Sequence, residues 1–141
     1  MGLGLKRTDL RANAQGKLDD AVYLLSDRRF SNAYYLAGYA VEIGLKACIA
    51  LQITAETIPE KAFINAVFQH NLKNLVGLAG LQEELKEEQD KNPDFAANWA
   101  LVAEWSEQAR YYEIDPVTAQ VFVTAVADPR SGVLRWIKTF W

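Results

Sequence analysis

The segment from Ala33 to Leu51 constrains the fold more than any other part of the sequence. Placed on a helix of 3.6 residues per turn, it presents apolar side chains around almost its whole circumference. One face carries only small residues, which let a neighbouring helix backbone come close: Ala33, Ala37, Ala40, Gly44 and Ala47. Because such a helix is usually buried at the centre of a protein, we expect it to be the central helix of an all-α domain.

The rest of the chain also has a helical pattern, with sparse Pro and Gly residues that lie between the apolar segments. The predicted helices run from Thr8-Asp9 to about Asp27, from Ser31 to about Gln52, from Glu60 to Phe68, from His70-Asn71 to about Gly80, and over 81–91, 94–112, 116–126 and 129–140. Asp115-Pro116 and Asp128-Pro129 each place an Asp N-cap before a Pro at the first helical position. A strand is the alternative for Val117 to Val126, which is rich in β-branched residues. The pattern predicts one domain over 1–141, an antiparallel up-and-down bundle of four to five main helices.

Composition narrows the function classes. The 141 residues carry a net charge of −3, one Cys and one His. A single Cys forms no disulfide within the chain, so we expect a cytoplasmic protein. Glu42 and Lys46 lie in the middle of the longest apolar stretch, which argues against a membrane span. One Cys and one His cannot build a zinc site of Cys and His ligands, and no metal or cofactor is expected.

Four polar or aromatic residues form a narrow stripe on the otherwise apolar central helix: Tyr35, Tyr39, Glu42 and Lys46. Their spacing of four, three and four residues places them on one side of the helix. Glu42 precedes Lys46 by four residues, the favourable order for an ion pair. One interpretation is a solvated stripe, or a structural ion pair beneath two packing Tyr rings. The other is a groove wall, in which the rings stack on a base and Lys46 meets a phosphate.

Two further residues are candidates for the same groove. His70 is the only imidazole and belongs to the side-chain type suited to proton transfer near neutral pH. The alternative is that His70 caps or packs against the next helix. The apolar side of the predicted helix 94–112 is expected to pack in the core and carries Phe95, Val102, Trp105, Ala109 and Tyr112. Arg110 lies off that side and would either pair with Glu107 or Glu113, or point into a groove with Lys46.

Three segments together resemble the HEPN family, a domain of higher eukaryotes and prokaryotes associated with nucleotide binding. Residues 33–47, AYYLAGYAVEIGLKA, are similar to the family's central-helix signature. His70-Asn71-Leu72 resembles the segment that opens the next helix, and Arg110-Tyr111 resembles an Arg-Tyr pair near the end of a later helix. The resemblance implies a helical bundle that commonly forms a homodimer. It also implies nucleotide or RNA binding and a nucleotidyltransferase partner in a toxin–antitoxin-type module.

Several members of the family are metal-independent RNases whose motif is Arg, a polar residue, then His after four to six further residues. This sequence departs from that motif, because no His follows Arg110. Catalytic residues are therefore not assigned, with His70 and Arg110 as the candidates. The main hypothesis is a nucleotide- or RNA-binding component with a groove lined by Tyr35, Tyr39, Glu42, Lys46, His70 and Arg110. The alternatives are a divergent metal-independent RNase toxin and a non-catalytic dimerising adaptor.

Overall fold

The computed structural model describes residues 4–141, so residues 1–3 of the predicted single domain lie outside the described part. Within residues 4–141 the secondary structure is entirely helical, and the predicted all-α bundle is confirmed. The α-helices are α1 (Arg7–Ser26), α2 (Phe30–Ala50), α3 (Lys61–Val67), α4 (Leu72–Leu78), α5 (Gln82–Lys91), α6 (Pro93–Val102), α7 (Pro116–Ala127) and α8 (Val133–Lys138). A short 3-10 helix, Glu107–Tyr111, lies between α6 and α7.

Helix α2 is the centre of the bundle, as its apolar circumference predicts. It packs against α1, α4, α7, α8 and the 3-10 helix. Its small-residue face is fully buried, with Ala33, Ala37, Ala40 and Ala47 inaccessible to solvent. At Gly44 an added Cβ would lie 3.2 Å from side-chain atoms of both Leu134 and Ile137 of α8. Small side chains therefore allow the close packing around α2.

The segment 117–126 is helical, which removes the strand alternative. Asp115 is the N-cap of α7, and its carboxylate accepts a hydrogen bond from the Thr118 backbone N–H at 3.0 Å. Pro116 occupies the first turn, as the Asp-Pro pattern predicts. The buried side of α7 includes Phe122, Val123 and Val126, so tertiary packing supports a helix in spite of the β-branched composition.

The second Asp-Pro pair does not start a helix, and the predicted helix 129–140 is therefore too long. The Asp128 carboxylate accepts hydrogen bonds from the backbone N–H groups of Arg130 and Ser131, at 2.7 and 3.1 Å, and so closes a turn. Helix α8 begins only at Val133, after Gly132 as its N-cap.

The sequence pattern predicts Thr8 or Asp9 as the N-cap of the first long helix and Ser31 as the N-cap of the second, and both predictions are wrong. Helix α1 follows Lys6, not Thr8 or Asp9, and no side chain caps it. The N-cap of α2 is Arg29, two residues before Ser31. The Ser31 hydroxyl instead accepts a hydrogen bond from the Ile114 backbone N–H at 2.9 Å, which ties α2 to the segment before α7.

The predicted helix 94–112 is two separate elements. Helix α6 is capped by Asn92, whose side chain accepts from the Phe95 N–H at 3.1 Å, and it ends at Val102. The chain then turns so that Trp105 packs inward, and Ser106 caps the 3-10 helix. Trp105 and Ala109 are buried as expected, but Tyr112 is mostly exposed. The expectation for Tyr112 assumed one continuous α-helix, and the chain after Val102 does not keep that spacing.

No helix among residues 4–141 is both long enough and apolar enough to cross a membrane.

Candidate functional site

The polar stripe of α2 lies beneath other parts of the bundle and is not a solvated helix face. Glu42 is only 2% exposed and is the one buried charged residue within residues 4–141. Tyr35, Tyr39 and Lys46 are partly buried. A buried carboxylate is unfavourable unless hydrogen bonds and opposite charges compensate for the lost water. The partners of Glu42 therefore define the site.

Glu42 uses its two carboxylate oxygens for two different partners. Lys46 Nζ lies 3.3 Å from Oε2, four residues along the same helix. His70 Nδ1 lies 2.8 Å from Oε1, although His70 is 28 residues away in the sequence. The structure thus brings the stripe and the only His of the chain together. We call Glu42, Lys46 and His70 the polar triad.

The position of His70 is also fixed by the helix that follows it. It lies just before α4, and Leu72, Leu75 and Val76 of that helix are buried in the core. Asn71, not His70, is the N-cap, since its side chain accepts from the Asn74 N–H at 3.0 Å. The capping alternative for His70 is therefore wrong. Its imidazole is free to contact Glu42 and still has 45% of its side chain exposed.

The contact with Glu42 determines how the imidazole is arranged. An ionised carboxylate can only accept hydrogen bonds, so Nδ1 of His70 is the donor. The other ring nitrogen, Nε2, is then available to an outside group. A carboxylate that orients one side of an imidazole while the other side faces a reactant is the arrangement used for proton transfer. The polar triad can therefore bind an anion or move a proton at Nε2.

Three aromatic rings lie beside one another at the neighbouring part of α2: Tyr35 and Tyr39 belong to the helix, and Trp105 packs on it. The Tyr35 and Tyr39 rings meet edge to face at 5.8 Å, and Tyr35 stacks on Trp105 at 6.1 Å. Burial raises the pKa of Tyr39, and the nearby negative charge of Glu42 adds to this effect. The Tyr39 phenol therefore stays protonated at neutral pH and can donate a hydrogen bond.

Sequence reasoning assigned Trp105 to the core and missed its position at the site. Its indole lies directly on Gly38, where an added Cβ would be 2.1 Å from Trp105 Nε1. That nitrogen is buried without a hydrogen-bond partner among residues 4–141. Trp105 and His70 together line an open cavity of about 420 Å³, which Ser106 and Glu107 also line. The available signal was Gly38, a Gly inside the central helix between two Tyr residues, which is typical of a close approach by another group.

Arg110 is separate from the polar triad. Its guanidinium lies 4.8 Å from the centre of the Tyr111 ring, and contact with the Tyr111 side chain raises its pKa above the ordinary value. Weaker electrostatic effects on Arg110 come from Tyr35 and Glu107. Within residues 4–141 it makes no ion pair with Glu107 or Glu113 and none with the polar triad. Arg110 lies in the last turn of the 3-10 helix, which packs on α2, and it is exposed to solvent.

No protein-family model, curated protein or solved structure matched this chain when it was compared with them.

Proposed function

We propose that this chain is a nucleotide- or RNA-binding helical bundle, and that His70 donates a hydrogen bond to a phosphate oxygen. The observation that carries the proposal is the 2.8 Å contact between the buried Glu42 carboxylate and Nδ1 of a half-exposed imidazole. This contact occupies Nδ1, so Nε2 is the ring nitrogen that remains for an outside group. When the ring is protonated, Nε2 is a charged donor, and hydrogen bonds between charged groups are the strong ones.

The aromatic residues beside the polar triad supply the second part of a nucleotide site. Tyr35 and Tyr39 are partly exposed, and flat aromatic rings can stack on bases of any sequence. Arg110, exposed near Tyr35, supplies a cation for a second phosphate or for stacking. Glu107 lines the same cavity as His70, and its negative charge disfavours a phosphate close to it. We therefore place the phosphate between His70 and the Tyr side of the groove.

The partners form a further part of the proposal. A HEPN-like bundle of this type would form a homodimer and act with a nucleotidyltransferase protein in a toxin–antitoxin-type module. Support comes from the helical bundle, from the sequence of α2 and from the position of His70 at the start of α4. Co-expression with candidate nucleotidyltransferases, followed by purification of a stable complex, tests this part separately from ligand binding.

Nucleotide binding can be tested at His70 itself. Because the chain has one His, the ring nitrogens of ¹⁵N-labelled protein give one pair of resonances. Titration with inorganic phosphate, AMP, UMP and a short 5′-phosphorylated RNA should shift the Nε2 signal. In His70→Gln, affinity should fall about 10- to 100-fold, since a hydrogen bond to a charged group contributes about 1.5–3 kcal/mol. Lys73→Gln, on the exposed side of α4, is the matched control and should bind normally. Unchanged ring signals at millimolar ligand would contradict the proposal.

A metal-independent RNase is the second candidate, and the Glu42–His70 pair favours it. In the neutral ring, Nε2 of His70 is unprotonated and could remove a proton from an RNA 2′-hydroxyl. The 2′-oxygen would then attack the adjacent phosphorus, and the bond from phosphorus to the 5′-oxygen would break, with a proton from water or from the imidazolium going to that oxygen. Arg110 could then stabilise the charge that develops on the phosphate. This candidate predicts RNA cleavage in the presence of EDTA, with large losses in His70→Ala and Arg110→Ala. Intact RNA after long incubation with the wild-type protein would exclude it, and binding without cleavage would leave only the main proposal.

A further inference from the structure

A second cavity is lined by Lys46 but not by His70. It has a volume of about 240 Å³ and lies between the start of α1, the last turns of α2 and helix α3. Its walls are apolar side chains, among them Leu10, Ile49, Ile53, Phe63 and Ile64. An apolar cavity of about 150 Å³ is large enough for benzene in other proteins, so this one can hold a small organic molecule.

Helix α3 covers this cavity without filling it. None of its residues is buried, although Phe63, Ile64 and Val67 all line the cavity. An amphipathic helix normally buries its apolar face against a neighbour. Here the space beneath α3 leaves that face in contact with a void. A ligand with an apolar body would complete the packing.

Lys46 is the one charged residue among the described residues that line the cavity. Its side chain is only 12% exposed, so water reaches it poorly. An ammonium group has three N–H donors. Within residues 4–141, Lys46 Nζ makes one hydrogen bond, to Glu42 Oε2 at 3.3 Å. The other oxygen of Glu42 contacts His70 and is not available to Lys46. The remaining N–H donors of Lys46 therefore favour an acceptor oxygen from a ligand.

We propose that this cavity binds a small amphiphilic anion, a medium-length alkyl chain that ends in a carboxylate. The chain lies among Leu10, Ile49, Phe63 and Ile64, and the carboxylate accepts hydrogen bonds from Lys46. A nucleobase is a poor occupant, because the apolar walls would leave its ring N–H and C=O groups without partners. The proposal is independent of nucleotide binding, although Lys46 belongs to both sites.

Calorimetric titration of the full chain with octanoate, octanol and octylamine tests the proposal. Octanoate should bind in a 1:1 ratio, about 10-fold or more tightly than octanol, because a charged hydrogen bond is added. Octylamine should bind most weakly, since its ammonium would face Lys46. Hexanoate should bind more weakly than octanoate by up to about fourfold for each missing methylene. Equal binding of octanoate and octanol, or no binding of either, would overturn the proposal.

Variants assign the binding to this cavity. In Lys46→Met, the affinity for octanoate should fall to that for octanol or below it, because the Glu42 carboxylate loses its cationic partner. Lys46→Arg keeps a cation beside Glu42 and should keep most of the preference for octanoate. Lys73→Met removes an exposed Lys of α4 and serves as the matched control with wild-type binding. Ile64→Glu places a carboxylate in the apolar wall and should abolish binding of both probes. Ile64 is 39% exposed, so this variant should still fold. Full octanoate affinity in folded Ile64→Glu would place the ligand elsewhere and overturn the proposal.

Discussion

Replacing Glu42 by Gln should destabilise the protein. It should also move the proton of the neutral His70 ring from Nδ1 to Nε2. The carboxylate is almost fully buried and accepts hydrogen bonds from Lys46 and His70 on separate oxygens. Gln has the same shape but only one acceptor oxygen. If that oxygen faces Lys46, the amide NH₂ faces His70 Nδ1, which must then lose its proton and accept. The proton of the neutral ring moves to Nε2.

The expected loss of stability is about 2 kcal/mol. Removing one partner of a fully buried ion pair costs about 3–5 kcal/mol, which sets the upper limit. His70 is 45% exposed, so water compensates for much of its loss. The Lys46 side chain is 12% exposed and carries most of the effect. One hydrogen bond between charged groups contributes about 1.5–3 kcal/mol, which brackets the estimate.

Urea denaturation followed by circular dichroism measures this change. With a typical dependence of about 1–3 kcal/mol per molar urea, the midpoint should fall by about 1 M. Asp90→Asn is the control, because the Lys86–Asp90 pair has the same i,i+4 spacing but is exposed, and such pairs contribute about 0.3–0.5 kcal/mol. The ¹⁵N spectrum of the single His reports the ring protonation. If Glu42→Gln and Asp90→Asn have the same stability and the His70 signals do not move, the reasoning about the polar triad is refuted.

Three further predictions concern Gly38, Cys48 and Asp115. Gly38→Ala should destabilise the protein by about 1–3 kcal/mol and change the near-ultraviolet circular dichroism, because the added methyl group would overlap the Trp105 indole. An unchanged spectrum and an unchanged urea midpoint would show that the indole moves freely. Burial raises the pKa of the Cys48 thiol to about 12, so at pH 8 a thiol reagent should modify the native protein far more slowly than the urea-denatured protein; equal rates would contradict this. Hydrogen bonds from the Thr118 hydroxyl and backbone N–H lower the pKa of Asp115 below its ordinary 3.8, so its carboxylate stabilises the fold above pH 3.8 and less as the pH falls through the lowered value. Asp115→Ala should therefore lower the thermal midpoint at pH 6, and the difference from wild type should shrink below pH 3.8. A difference that stays the same at every pH would show that ionisation of Asp115 does not contribute to the cap.

Local sequence signals predicted most of the helices correctly, because caps and apolar spacing act over a few residues. Asp115 caps α7 as its Asp-Pro pattern indicates, and α2 is central because its circumference is apolar. Where a distant group competes for the same side chain, the local signal failed. Ser31 accepts from Ile114 instead of capping α2, and Trp105 packs on Gly38 where a continuous helix was expected.

The sequence alone determined that Tyr35, Tyr39, Glu42 and Lys46 share one side of a central helix, since helical geometry sets the angle between them. It could not determine what that side faces. The burial of Glu42 and its contact with His70 arise when α4 packs on α2 through buried apolar side chains. The energy of that packing is spread over many nonspecific contacts between distant segments, so no short pattern in the sequence encodes which polar groups it brings together.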